Sequence, residues 1–332
     1  MELSTVQPTE VINSYEVEST LSDNNRFIEA NTQQVTLAHL KNDCTIPVFA
    51  KDNESTISHY EFIDAVRTIA QQLFHEGDIT MPSIRTSHII KGRIPSAIGK
   101  PAKELKEHER TIYYERMAFM FEIPHLKATI NDQTLSLTVG GVRSYSEQNL
   151  FTKKSIEKFK VFIGFKNMVC CNLCISTDGL KDDLRVSSVE ELKSKTRDLI
   201  LEYNQEAHVE AMTEMHKQVM NQDQFAHLIG KMKLYHHLGN EQKKGLFNLE
   251  ATDSQINTIT KNYVADENFK ADPDGYINFW NLYNLFTESA KSTYINNFLS
   301  RNCNAYEFIN HLGKSLKNQE DNFFLNTYNI AL

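Results

Sequence analysis

No run in this 332-residue chain approaches the roughly 20 consecutive apolar residues that a membrane-spanning helix requires. The opening stretch, Met1 to Asn25, lacks the basic start and the apolar block of a secretory signal. Cysteine is sparse and odd in number. Three of the five crowd together at Cys170, Cys171 and Cys174, unlike the paired framework of a small secreted domain. A cytoplasmic protein with reduced thiols is therefore expected. Several signatures of familiar chemistries are also missing. There is no HExxH, no GxGxxG, no GxxxxGK loop and no GxSxG elbow. Neither a fixed-period repeat nor a long low-complexity tract occurs.

Hydrophobic residues make up 40% of the chain, enough for one large core or two ordinary ones. The net charge is −8, but it is unevenly spread. From Arg85 to Arg116 eight lysines and arginines face four glutamates, a local surplus of about four positive charges. Segregation of this kind points to an anionic partner.

Residues 1–35 are polar and acidic without periodicity, and are expected to form a flexible arm. Residues 36–180 read as a helix, a basic loop and an antiparallel sheet. The helix follows Ser58, which with Glu61 makes a capping box, and carries Phe62, Val66, Ile69 and Leu73 on one face. Pro82, Gly92, Pro95 and Gly99 break the next stretch, and a short helix is expected from Pro101. Strands are predicted over Met117 to Ile123, Leu126 to Ile130, Leu135 to Val142 and Phe159 to Phe165, with a tight turn at Asn131-Asp132. A fifth, from Met168 to Ser176, is apolar on both faces and is expected centrally in the sheet, with Asn172 in need of hydrogen-bond partners.

Residues 181–332 read as mostly helical and continuous with the sheet. Ser188 and Glu191 form a second capping box, Gly275 marks a turn, Trp280 anchors an apolar helix, and the last helix is expected from Asn304. The fold class is thus α+β, a central antiparallel sheet with a mostly helical C-terminal part packed on it.

Several separated motifs carry a family resemblance. They are Ser87 to Pro95 with Lys100 to Leu105 and Tyr113 to Met117, then Met117 to Pro124, Val139 to Tyr145, Phe162 to Phe165, Val169 to Leu173 with Ser176 to Gly179, and Trp280 to Thr287. Over about Thr36 to Leu316 the chain resembles a domain-of-unknown-function family of Bacteroidetes phages, plasmids and conjugative elements. More distantly, Val169 to Leu173 and Trp280 to Asn284 look like elements of the broader phage/plasmid-like protein family. The resemblance implies a mobile-element context and a shared fold, and brings no substrate, cofactor or catalytic residue.

Metal binding is not expected. Cys170 and Cys174 in one strand would stand roughly 13 Å apart, too far for a shared zinc ion with bonds of about 2.3 Å. Glu206, Glu210 and Glu214 align on one helical face, read as an exposed acidic stripe. Asp272 to Ile277 is read as a plain turn, because Lys270 and Asn281 occupy the positions where a calcium loop needs acids. No cofactor is expected.

The basic stretches remain. Lys91, Arg93, Lys100 and Lys103 form one proposed wall of a groove, and Arg143, Lys153 and Lys154 the other, with Tyr114 and Tyr145 as rings for bases. The expected function is a nonenzymatic mobile-element accessory protein that binds single-stranded DNA there. A solvated basic face would account for the same charges. A module acting on a host or phage protein, and an enzyme of unknown reaction, stay open as alternatives.

Overall fold

A computed structural model describes residues 26–45, 56–74, 79–97, 99–147 and 156–325. The chain is α+β. Strand β1 (Gln33–Gln34) and the short helix α1 (Leu37–Asn42) precede helix α2 (His59–Phe74). Strands β2 (Ser83–Thr86), β3 (Ile89–Arg93), β4 (Arg110–Tyr114), β5 (Arg116–Ile130), β6 (Gln133–Ser144), β7 (Glu157–Asn167), β8 (Leu173–Cys174) and β9 (Leu180–Val186) follow. Then come α3 (Val189–Glu202), α4 (Gln205–Lys217), β10 (Val219–Met220), α5 (Gln222–His237), α6 (Asn240–Lys243) and α7 (Asp253–Ala265). Strand β11 (Ile277–Asn278) and helices α8 (Phe279–Ala290) and α9 (Ile295–Asn318) complete it.

The main sheet is antiparallel, in the order β1-β2-β5-β6-β7, with β8 and β9 both lying along the far edge of β7. Asn131 and Asp132 adopt φ of 49° and 60°, the left-handed pair that a two-residue hairpin between β5 and β6 demands. Helix α2 starts as its sequence specifies: Ser58 Oγ accepts from the Glu61 N–H at 3.0 Å, and the Glu61 carboxylate accepts from the Ser58 N–H at 2.6 Å. Phe62 of α2 packs on the sheet against Phe119 and Phe159, with ring centroids 5.1 and 4.7 Å away. Gly141 lies beneath it, where a Cβ would come within 2.5 Å of the Phe62 ring. The opposite sheet face is covered by the first half of α9, whose Ile295, Phe298 and Leu299 meet Ala118, Met120, Val142 and Phe162.

Four expectations are corrected. The segment expected as a central fifth strand is instead a turn at 168–170, then Cys171 at φ 61°, then only two strand residues, on the sheet edge. The left-handed residue breaks the strand; Cys171, Leu173, Cys174 and Ile175 are buried, whereas Met168 and Val169 in the turn are exposed. Residues 180–186, read as leading into a helix, form edge strand β9. Its charged Lys181, Asp183 and Arg185 stand in for the hydrophobic alternation of an inner strand. Asn304 does not start the last helix, because α9 begins nine residues earlier; Asn304 accepts from the Glu250 N–H at 2.9 Å and donates to Asn248 O at 2.8 Å. Finally, packed chain begins before residue 36: Phe27 and Ile28 are buried, while residues 1–25 of the expected arm lie outside the described residues.

Asn172 finds its partners in α8, donating to Asn284 O at 3.1 Å. Burial pushes the Cys170 thiol up to about 12, and that of Cys174 higher still, so both stay protonated. Among the described residues no three His, Cys, Asp or Glu side chains converge as a metal site, and no helix is long and apolar enough to cross a membrane.

Among the described residues two histidines are interior. His59 donates Nε2–H to Tyr114 O at 2.8 Å, and His208 Nδ1 meets Tyr203 OH at 2.7 Å. Burial, and for His59 also the Arg143 charge, lowers both from 6.5 to about 3. The unfolded chain takes up these protons near pH 6.5 and the folded chain does not. The stability they hold is therefore complete above pH 6.5 and is lost as pH falls towards 3. Between pH 6 and 4 each histidine contributes a slope approaching about 1.4 kcal/mol per pH unit. Urea unfolding across that range checks it, and His208→Gln should flatten the slope by one proton's worth.

Candidate nucleic-acid interface

Strands β3 and β4 leave the main sheet as a two-stranded ribbon. The register runs on unbroken from the β2/β5 pair: Thr86 faces Met117, and three residues further Ile89 faces Tyr114. At the far end Arg93 lies directly opposite Arg110, with Lys91 opposite Ile112 on the same ribbon face. Like charges directly opposite each other destabilise a ladder, and no acidic residue occupies that face of the two strands. Lys91 and Arg110 are exposed and Arg93 is half-buried, its guanidinium donating to Lys100 O.

The 16 or so residues joining the strands carry Lys100, Lys103 and Lys106. Lys103 and Lys106 are exposed. Lys100 is paired with Glu109, whose carboxylate is held below its ordinary value, first by that hydrogen bond and then by the Lys106 N–H. The ribbon's root is tied to α1: Cys44 bridges Ile112, and Tyr114 OH meets His39 Nε2 at 2.9 Å, while His39 Nδ1 meets Asp43 at 2.8 Å.

Among the described residues the expected second wall is represented only by Arg143, which does not line an open groove. Arg143 is fully buried, paired with Glu157, donating to Ile57 O, and sandwiched between the rings of Tyr145 and Phe159 at 4.6 and 4.4 Å. Tyr114 and Tyr145 are buried as well and offer no free face to a base. Lys160 pairs with Asp182 at 2.9 Å, Lys166 with Glu122 at 2.6 Å, and Lys158 with Asp183 at 3.5 Å. Lys153 and Lys154 lie outside the described residues. Of the nine residues picked from sequence, the structure groups Lys91, Arg93, Lys100 and Lys103 on the ribbon and its connection. Sequence reasoning overlooked Arg110, although alternation on two paired strands would have placed it opposite Arg93.

A family profile described as a domain of unknown function with a B. theta gene description matches residues 6–325. The chain belongs to this family, DUF3871. No curated protein and no solved structure matches it. The DUF3871 match runs through both sheet and helices.

Proposed function

We propose that this protein is a nonenzymatic accessory protein of mobile elements that binds single-stranded DNA through the β3–β4 ribbon. The observation that carries the reading is Arg93 set opposite Arg110 with Lys91 beside them, an arrangement costly to the free ribbon and favourable once phosphates lie across it. The mobile-element setting is supported by the sequence resemblance. With Tyr114 and Tyr145 buried, binding rests on backbone phosphates rather than stacked bases, so little sequence preference is expected.

Affinity for a single strand should fall with log salt at about −0.7 per phosphate contacted. Replacing Lys91, Arg93 and Arg110 together by Ala should flatten that slope by about two units. Melting temperature should change little: Lys91 and Arg110 are exposed, and loss of the Arg93 hydrogen bond to Lys100 O is offset by relief of the Arg93–Arg110 repulsion. No measurable affinity at about 50 mM salt, or a triple variant with an unaltered slope, would remove the nucleic-acid reading and leave protein interaction in front. Tighter binding of duplex than of single strand would overturn the strand preference only.

A further inference from the structure

Helices α4 and α9 lie side by side and run in the same direction. The rings of His208 and Tyr306 are 4.9 Å apart near one end of the pair, and Gln218, just after α4, donates Nε2–H to Gly313 O at 3.3 Å towards the other. A surface cleft of about 260 Å3 opens between them. Its α4 side presents Ala207, Glu210, Ala211 and Glu214, spaced by three or four residues and therefore on one helix face. Its α9 side presents Gly313, Lys314 and Lys317 with the same spacing.

The two walls are of opposite sign. Glu210, Lys314 and Lys317 are exposed, and Glu214 is 44% exposed. The Glu214 carboxyl is held below its ordinary value first by its hydrogen bond from Lys217, and the Lys317 charge across the cleft adds to this, so the acidic and basic walls stand at the same level. Their spacing also matches: Glu210 to Glu214 rises about 6 Å along α4, and Lys314 to Lys317 about 4.5 Å along α9. A face with one acidic and one basic wall is complementary to a copy of itself. Turned about a two-fold axis lying along the cleft, a second chain sets its α9 over α4 and its α4 over α9, and each of these charges meets an opposite one. Turned about an axis across the helices, it would lay carboxylate on carboxylate and be repelled. The small side chains of Ala207 and Ala211, with Gly313 opposite, let the helices of two chains approach closely.

We propose that the chain forms a two-fold homodimer through this α4/α9 face, with Glu210 and Glu214 of one protomer against Lys314 and Lys317 of its partner. The contact is charged and partly solvated, so the dimer is reversible and salt-sensitive. It uses no residue of the ribbon and stands independently of strand binding.

Sedimentation equilibrium of the full chain, free of nucleic acid, tests it. At about 0.05 M salt the chain should be dimeric at high micromolar concentration, and about 1 M salt, where the Debye length falls to about 3 Å, should weaken association at least tenfold. Glu210→Lys with Glu214→Lys makes both walls basic, and Lys314→Glu with Lys317→Glu makes both acidic. Each of these variants should be monomeric, with a melting temperature near that of wild type because the positions lie at the surface. Mixed in equal amounts they should associate as a heterodimer, since each wall then meets its opposite. The milder pair Glu210→Gln with Lys314→Gln should weaken self-association about tenfold. The ribbon triple variant should dimerise as wild type does, which separates failure here from failure of strand binding. A wild-type chain that stays monomeric at low salt, charge-reversed variants that still dimerise, folded variants that do not associate on mixing, or a Gln pair with unchanged association would each overturn the proposal.

Discussion

Trp280→Ala should lower the unfolding free energy by about 3 to 5 kcal/mol, read as a fall in the urea midpoint with little change in slope. The indole is fully buried in the core shared by sheet and helices. Its ring lies 6.0 Å from that of Tyr283, and its Nε1–H donates to Gln133 Oε1 at 3.1 Å. Gln133 Oε1 also accepts from Asn167 at 2.8 Å, and Asn284 donates to Trp280 O at 2.9 Å. The indole thus fills the space between the β5–β6 hairpin and α8 and joins an amide network that reaches Asn172. Because the network keeps its other bonds after truncation, the cavity dominates the loss. Trp280→Phe, which refills most of the volume, should recover more than half of it, and an unchanged midpoint in the alanine variant would contradict the role.

Arg143→Ala should cost a similar amount, about 3 to 5 kcal/mol, for a different reason. It strands the Glu157 carboxylate, whose remaining partner among the described residues is the Ile57 N–H at 2.9 Å. Burial already raises Glu157 above its ordinary value, and the arginine charge opposes that rise. Without the arginine the carboxyl titrates higher in the folded protein than in the unfolded one, so the variant gains stability relative to wild type as pH falls and Glu157 is protonated. The penalty should therefore be larger at pH 8 than at pH 5. Replacing the pair together, Arg143→Met with Glu157→Leu, should restore most of the stability, since buried ion pairs exchange well for packed apolar groups. A penalty independent of pH would mean that lost ring packing against Tyr145 and Phe159, not the stranded charge, sets the cost.

This pair also shows where sequence reading of the site stopped. Arg143 and Lys91 are both cations within basic stretches of the chain, and nothing local separates them. In the folded chain one is the centre of a buried pair and the other an exposed residue on a ribbon. Lysines 158, 160 and 166 lie close together along the chain, but their carboxylates come from β5, β9 and the turn after β6, up to 44 residues away. A charge count along the sequence sees proximity in the chain, whereas neutralisation depends on proximity in space.

The sequence by itself determined the elements whose signals are local. The Ser58 and Ser188 caps, the Asn131-Asp132 hairpin, the long strands around it, the Gly275 turn and the apolar helix of Trp280 all follow from backbone stereochemistry and short-range periodicity. Only the tertiary structure decided that residues 168–176 turn and pair at an edge, that 180–186 form a strand, and that β3 and β4 leave the sheet in unbroken register with Arg93 against Arg110. It also decided which cations are buried against carboxylates. Strand pairing and charge compensation are made between residues far apart in the chain, so no local pattern encodes them.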